Sequence, residues 1–295
     1  MAYFEFLIPS EMSGQTVMQI ARNAMLLSNR QFKSAKYHGK MHLDDVEVYS
    51  NQVVSEGQRL CIITPDGETQ HYEPLFMTLN IPYEDEHIII VDKPAYLPSV
   101  PAPKKATPTL ANAIYAHLGC PSHFVYRAIN RLDKGTSGLM TIAKTAHAQQ
   151  RLQLQLHQPT FMRKYLAVVD GCFPHCKGVI HAPIAKVDGA TIMREVSHRG
   201  KQAITHFQCL YVKNQRSLIE LVLETGRTHQ IRVHMSSLGY PLVGDFCYGR
   251  ETEELPLRFA LHSATLQLNH PISNEQIIIN SPLPDELAKL FEKER

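Results

Sequence analysis

Asn130-Arg131-Leu132-Asp133-Lys134-Gly135-Thr136-Ser137-Gly138-Leu139 sets one carboxylate between two cations on a glycine-bearing turn, directly ahead of the apolar run Leu139-Met140-Thr141-Ile142-Ala143. An acid that must stay ionised in a half-enclosed cleft needs cationic neighbours, because loss of water alone favours its neutral form. Gly135 and Gly138 allow a tight turn and the close approach of a second backbone. For Arg-Leu-Asp taken alone, an acid capping a surface turn before a strand is the plainer reading. The rest of the chain decides between the two.

Outward from this turn, Thr109 to Leu118 has helical spacing, with Gly119 just beyond it. A strand is expected to Ala143, then a helix through Ala148 and Leu156. Glu86 to Pro94 reads as a short buried strand ended by Lys93-Pro94. Further strands are expected over Arg163 to Gly171, Leu218 to Glu224 and Phe259 to Leu268. Thr228 to Leu238 reads as a helix stopped by Gly239 and Pro241, and the last ten residues read as another. Pro98 to Pro108 carries four prolines together with Lys104-Lys105 and reads as an extended loop. Strands and helices are interleaved without an even βαβ rhythm, which favours a mixed α+β domain.

Composition fits a water-soluble globular chain: 44% of the 295 residues are apolar and 20% charged. No apolar stretch reaches the roughly 18 residues that span a bilayer. The start, Met1 to Phe6, lacks the flank and core of a signal peptide. The six cysteines have no regular spacing and read as reduced thiols, so a cytoplasmic location is expected. Cys172 and Cys176 with His175 and His181 do not make a convincing metal set, because Pro174 intervenes and no second pair follows. Net charge is +2, split into −3 over residues 1–80 and +5 over the remainder. A nucleic-acid-binding field must therefore come from local clusters of cations.

Residues 1–80 read as a separate small unit. Val17 to Ser34 has helical apolar spacing, with Arg30, Lys33 and Lys36 near every third position. A short β pattern follows through Val46, Val48, Val53-Val54 and Leu60 to Ile63. A solvated basic helix face on a small appendage is the plainer account of those cations.

Two further segments hold candidate chemistry. Tyr165 opens a strand behind Arg163-Lys164, and Thr225-Gly226-Arg227-Thr228-His229-Gln230-Ile231-Arg232-Val233-His234 precedes the string Gly244-Asp245 with Tyr248-Gly249. On the expected helix Thr228 and Arg232 share a face, and Arg232 is flanked by the core positions Ile231, Met235 and Leu238. An arginine so placed needs a carboxylate partner. Taken alone, Arg232 could be a buried ion pair with some unrelated acid, and Tyr165 a core aromatic.

In order and wording, these segments resemble the motifs of the RluA-type RNA pseudouridine synthases. The turn resembles their Arg-Leu-Asp-x-x-Thr-Ser-Gly-Leu signature, with Asn130 where many relatives carry His. The second segment resembles their Lys-x-Tyr element, and the third their Gly-Arg-x-His-Gln-Ile-Arg-x-His block. Lys93-Pro94 resembles their opening strand, although Ala95-Tyr96 replaces the usual Ala-Gly. The resemblance spans residues 81–249 at least. It implies a mixed, largely antiparallel central sheet flanked by helices over residues 79–295. Residues 1–78 are similar to the alpha-L RNA-binding motif of certain ribosomal proteins, in a degenerate copy, since Tyr49-Ser50-Asn51 stands where Val-Asn-Gly is usual.

The reaction this resemblance implies is isomerisation of uridine to pseudouridine in structured RNA, ribosomal or transfer. Hydrolytic glycosidases need two carboxylates, to activate water and to protonate the leaving group. Here the uracil never departs, so Asp133 alone can serve. By the same resemblance Arg232 pairs with Asp133, Tyr165 packs on the uracil and helps remove its C5 proton, and Arg131 fills the stack left by the extruded base. Lys134, Thr136, Lys164, Arg227, His229 and Gln230 are further expected RNA contacts. No cofactor, metal, membrane or obligatory protein partner is implied, and a monomer is expected. The rival readings are an RNA-binding protein that keeps the fold without the activity, and a hydrolase, which would need a second carboxylate.

Overall fold

The computed structural model describes residues 2–65, 69–101, 107–156 and 158–292; Lys104, Lys105 and His157 lie outside them. Near the N-terminus, β1 (Ala2–Leu7), α1 (Val17–Asn23), α2 (Asn29–His38), β2 (Lys40–Leu43), β3 (Val46–Glu47) and β4 (Arg59–Thr64) build an antiparallel sheet in the order β1-β4-β2-β3. Val17, Ile20 and Phe32 of the helices share a core with Phe4, Leu60 and Ile62 of the strands. The helical spacing from Val17 to Ser34 divides into two helices. Leu26 takes a φ of 56°, which ends the first, and each helix opens on its own capping box, Thr16 with Gln19 and Ser28 with Gln31.

A larger sheet follows. Its elements are β5 (Asn80–Glu84), β6 (Ile88–Lys93), α3 (Leu110–His117), β7 (Arg127–Ala128), β8 (Ser137–Ala143), α4 (Ala146–Gln155), β9 (Met162–Asp170) and β10 (Lys177–His181). Then come β11 (Ile184–Lys186), β12 (Arg194–Val196), β13 (Ile204–Lys213), β14 (Arg216–Leu223), α5 (Gln230–Ser237), β15 (Leu261–Asn269), β16 (Gln276–Asn280) and α6 (Asp285–Ala288). The strand order is β10-β13-β14-β9-β15-β8-β6-β5, with β16 added on β15 and β7 on β8; β11 and β12 pair separately. Of these pairs only β15 with β8 is parallel. The mixed, largely antiparallel sheet is therefore present. Among the described residues no helix is long and apolar enough to cross a membrane.

Strand periodicity explains how the sheet divides two cores. In β6, Ile89 and Val91 face Leu110 and Ile114 of α3, whereas Ile88 and Ile90 face Ala148 and Leu152 of α4. Strand β8 repeats the pattern, with Met140 and Ile142 on the first face and Leu139 and Ala143 on the second. Both faces being covered, these strands read as continuous apolar runs. Helix α5 packs on the first face through Ile231 and Met235.

The smaller sheet docks on α4. The Ser28 backbone N–H donates to Gln150 Oε1 at 2.9 Å, Gln31 Nε2 donates to the Ala146 carbonyl at 3.2 Å, and the Phe4 ring meets His147 edge-on at 4.9 Å. Burial pushes His147 down to about 4, so its ring is neutral against Phe4 at neutral pH.

Two element boundaries differ from expectation. The helix expected from Thr228 begins at Gln230, because His229 adopts the left-handed region (φ 59°) and the Gln230 side chain accepts the Arg227 N–H instead. Thr228 is therefore outside the helix and shares no helical face with Arg232. At the C-terminus, the described part of the expected ten-residue helix is the short α6 followed by one 3-10 turn over Lys289–Phe291, and residues 293–295 lie outside the described residues.

Candidate active site

The Asp133 turn links β7 to β8 and is tied down from several sides. Ser99 Oγ donates to the Leu132 carbonyl (2.5 Å) and accepts the Leu132 N–H (3.1 Å), the Tyr96 N–H donates to the Lys134 carbonyl (2.8 Å), and the Thr136 N–H closes the turn onto the Asp133 carbonyl (3.0 Å). Asn130 Oδ1 accepts the Thr141 N–H at 2.9 Å, which makes it a structural residue. Gly138 has a φ of +107°, and a Cβ there would stand 2.3 Å from the Ser263 carbonyl oxygen. Only glycine lets β8 start alongside β15 at this point. A Cβ at Gly135 would press the Phe259 ring at 2.8 Å.

Asp133 opens into a cavity of about 580 Å³, also lined by Arg131, Tyr165, Arg227, His229 and Arg232. Strand β9 delivers Tyr165 and α5 delivers Arg232, so three elements distant in sequence converge. Arg232 Nη1 donates to Asp133 Oδ2 at 3.2 Å. Its other nitrogens belong to a residue to which sequence reasoning gave no role. Nε and Nη2 fork onto the two carboxylate oxygens of fully buried Asp245, each at 2.7 Å. Asp245 Oδ1 also accepts the N–H groups of Cys247 (3.0 Å) and Tyr248 (3.2 Å). The guanidinium lies over the rings of Phe259 (4.0 Å) and Tyr248 (5.0 Å). Burial works against its charge, but the bonds and field of Asp245, with Asp133, more than offset this and hold it above the usual arginine range.

His229 completes the acid's surroundings. Its Nε2 is 3.7 Å from Asp133 Oδ2, and its Nδ1 lies 2.8 Å from the Tyr248 hydroxyl, which itself accepts the Arg194 N–H at 2.9 Å. Burial lowers the His229 pKa further than the Asp133 field raises it, so the imidazole is neutral at neutral pH. Tyr165 is raised by burial, against which the charge of Arg163 and the polar Ser263 side chain pull.

The other expected contacts separate into two groups. Arg131 and Lys134 are exposed at the cavity, and Arg227 lines it while its Nε donates to the Gln202 carbonyl at 2.8 Å. Thr136 is buried. Gln230 is also buried, and its amide is fully engaged with Thr225, Arg227, Ile204 and Thr205. Lys164 points to the opposite face of β9 and pairs with Glu220 at 3.3 Å. Its neighbour Arg163 takes the place in the cavity. Alternation along the strand was the available signal, since residues 163 and 165 share a face. All six cysteines are free, and no group of three or more His, Cys, Asp or Glu is disposed to hold a metal among the described residues.

One carboxylate held by one arginine shares a cavity with a buried tyrosine, the arrangement expected of an isomerase that acts on RNA. The model of the RNA pseudouridylate synthase family matches residues 87–237. The uncharacterized RNA pseudouridine synthase YhcT of Bacillus subtilis is 36% identical, over 97% of this chain and 95% of its own. Ribosomal large subunit pseudouridine synthase D of Pseudomonas aeruginosa is 35% identical over 96% of this chain and 93% of its own. Among solved structures, human RNA pseudouridylate synthase domain containing 1 superposes with a TM-score of 0.57 at 25% identity, covering 70% of this chain and 83% of that one. The chain belongs to the RNA pseudouridine synthase family, whose reaction is the isomerisation of uridine in RNA to pseudouridine.

Proposed function

We propose that this enzyme modifies uridine in large-subunit ribosomal RNA, in the cytoplasm, with Asp133 as its catalytic carboxylate. The ion pair of Asp133 with Arg232, inside a cavity that also holds Tyr165, is the observation that carries this reading. An ionised carboxylate at the reacting sugar either attacks C1′ or takes the C2′ proton, and in both cases the bond from C1′ to N1 breaks. The base rotates, and C5 bonds to C1′ as the carboxylate leaves that carbon or returns the C2′ proton. Tyr165 packs its ring on the uracil and its hydroxyl guides the C5 proton away. Arg131, exposed at the rim, fills the stack vacated by the extruded base. A protein that only binds RNA has no use for this set.

The ribosomal target is supported by relatives named for the large subunit. Residues 1–78 serve as a degenerate RNA-binding module, for which the exposed Lys33, Lys36 and Lys40 supply phosphate contacts. Mapping pseudouridines in cells lacking the protein tests the target: large-subunit ribosomal RNA is expected to lose one or more sites. Loss confined to transfer RNA would overturn the assignment. For Tyr165→Phe, uridine consumption is expected to persist while completed pseudouridine falls by about 10²–10⁴, the usual share of a positioned acid or base. Nucleoside mass spectrometry of the product RNA checks it, and a normal yield would remove Tyr165 from proton transfer.

A further inference from the structure

Among the described residues no carboxylate pairs with the charge of Arg163. It is 6% exposed, its Nε is buried without a partner, and its side chain has no hydrogen bond or ion pair among the described residues. The guanidinium lies 5.7 Å from the Phe161 ring, and a Cβ on Gly226 would stand 3.3 Å from its Nη1. Other buried arginines are paired: Arg232 with Asp245 and Asp133, and Arg216 with Glu254. A buried cation left alone costs stability, so a fold that keeps one is holding it for something that arrives later. Arg163 lines the cavity of Asp133 and shares the face of β9 with Tyr165, about 6.7 Å further along the strand.

We propose that Arg163 compensates the negative charge that gathers on the uracil ring as its bond to the ribose breaks. The proposal rests on the roles given above to Asp133 and Tyr165. When the bond from C1′ to N1 breaks, its electron pair stays with the ring and spreads to O2 and O4. A guanidinium fixed in a water-poor wall stabilises that charge without having to reorganise. When C5 bonds to C1′ the ring supplies the pair, while Asp133 either leaves C1′ or returns the C2′ proton; the C5 proton then departs and N1 takes one up, so the net change is isomerisation alone. The anion is the base and not a phosphate. A phosphodiester continues into chain on both sides and needs an open approach, where the exposed cations are Arg131 and Lys134. Arg163 instead is buried in the lining of the same cavity, with the Phe161 ring 5.7 Å from its guanidinium.

The test uses the full chain and a full-length large-subunit ribosomal RNA transcript tritiated at uridine C5. With enzyme saturating, Arg163→Met is expected to slow single-turnover tritium release at least about 100-fold, with RNA affinity held within about threefold. Its melting temperature should be unchanged or higher, because an unpaired buried charge has been removed. Arg163→Lys should recover part of the rate. A transcript made with 5-fluorouridine gives the discriminating readout. Fluorine stabilises the uracil anion, so the Met variant's defect in consuming that nucleoside should shrink to below about tenfold.

Lost affinity with a normal rate at saturation would make Arg163 a phosphate anchor and overturn the proposal. So would equal slowing on both transcripts or a fall in melting temperature, either of which marks a structural arginine. If Arg163→Met does not fold, Arg163→Gln against Arg163→Lys provides the same comparison. Should Asp133→Asn retain activity, the fault lies in the parent reading; an inactive Asp133→Asn beside a fully active Arg163→Met sinks this proposal alone.

Discussion

Asp133→Asn is expected to lower pseudouridine formation at least about 10⁴-fold, the scale seen when a sole reacting group is removed. The amide has the shape of the carboxylate and one acceptor oxygen, so the hydrogen bond from Arg232 Nη1, now 3.2 Å, can persist. It has no charge with which to attack C1′ and is too weak a base to take the C2′ proton. Stability should change little, because Arg232 keeps its two bonds to Asp245 and the Asp133 side chain is already partly in water. RNA affinity should also persist, since the exposed cations of the rim are untouched. Tritium release from C5-labelled RNA, with binding measured in parallel, reports the result; undiminished release would take Asp133 out of the chemistry.

The site was legible where wording is local and illegible where satisfaction of bonds decides. The turn around Asp133 announces itself, because one acid, two cations and two glycines fall within ten residues. Tyr165 and Arg232 stood in recognisable surroundings as well. Gln230 and Thr136 have the side chains of RNA contacts, yet both are buried and the Gln230 amide is spent on the fold. Nothing in residue type shows whether an amide is already engaged. The exchange of Lys164 for Arg163 could have been read, since a strand sends alternate residues to opposite faces. The break between α1 and α2 could have been read too, from two Ser/Thr-x-x-Gln boxes. Phe259 could not: its contact with Gly135 joins residues more than a hundred positions apart and depends on β8 and β15 running side by side.

Asp245 presents the second large effect. Its carboxylate is buried completely and accepts four hydrogen bonds, two from Arg232 and two from the backbone of Cys247 and Tyr248. The fork onto Arg232 fixes which guanidinium nitrogen is left to meet Asp133. Asp245→Asn retains the acceptor for the backbone turn but leaves a buried arginine without its main counter-charge. Breaking one side of such a pair costs about 3–5 kcal/mol, which a denaturant titration would register. The freed guanidinium would then turn a second nitrogen toward Asp133 and pull the acid out of line. A displacement near 1 Å costs on the order of 10²-fold in rate, so activity should fall by about that factor even in the folded fraction. Adding Arg232→Met to Asp245→Asn separates the two effects: stability should recover, because no buried charge remains unpaired, while the rate should fall further. Wild-type stability in Asp245→Asn would show that Arg232 does not depend on Asp245. Recovery of the rate in the double variant would show that Asp133 does not need the arginine.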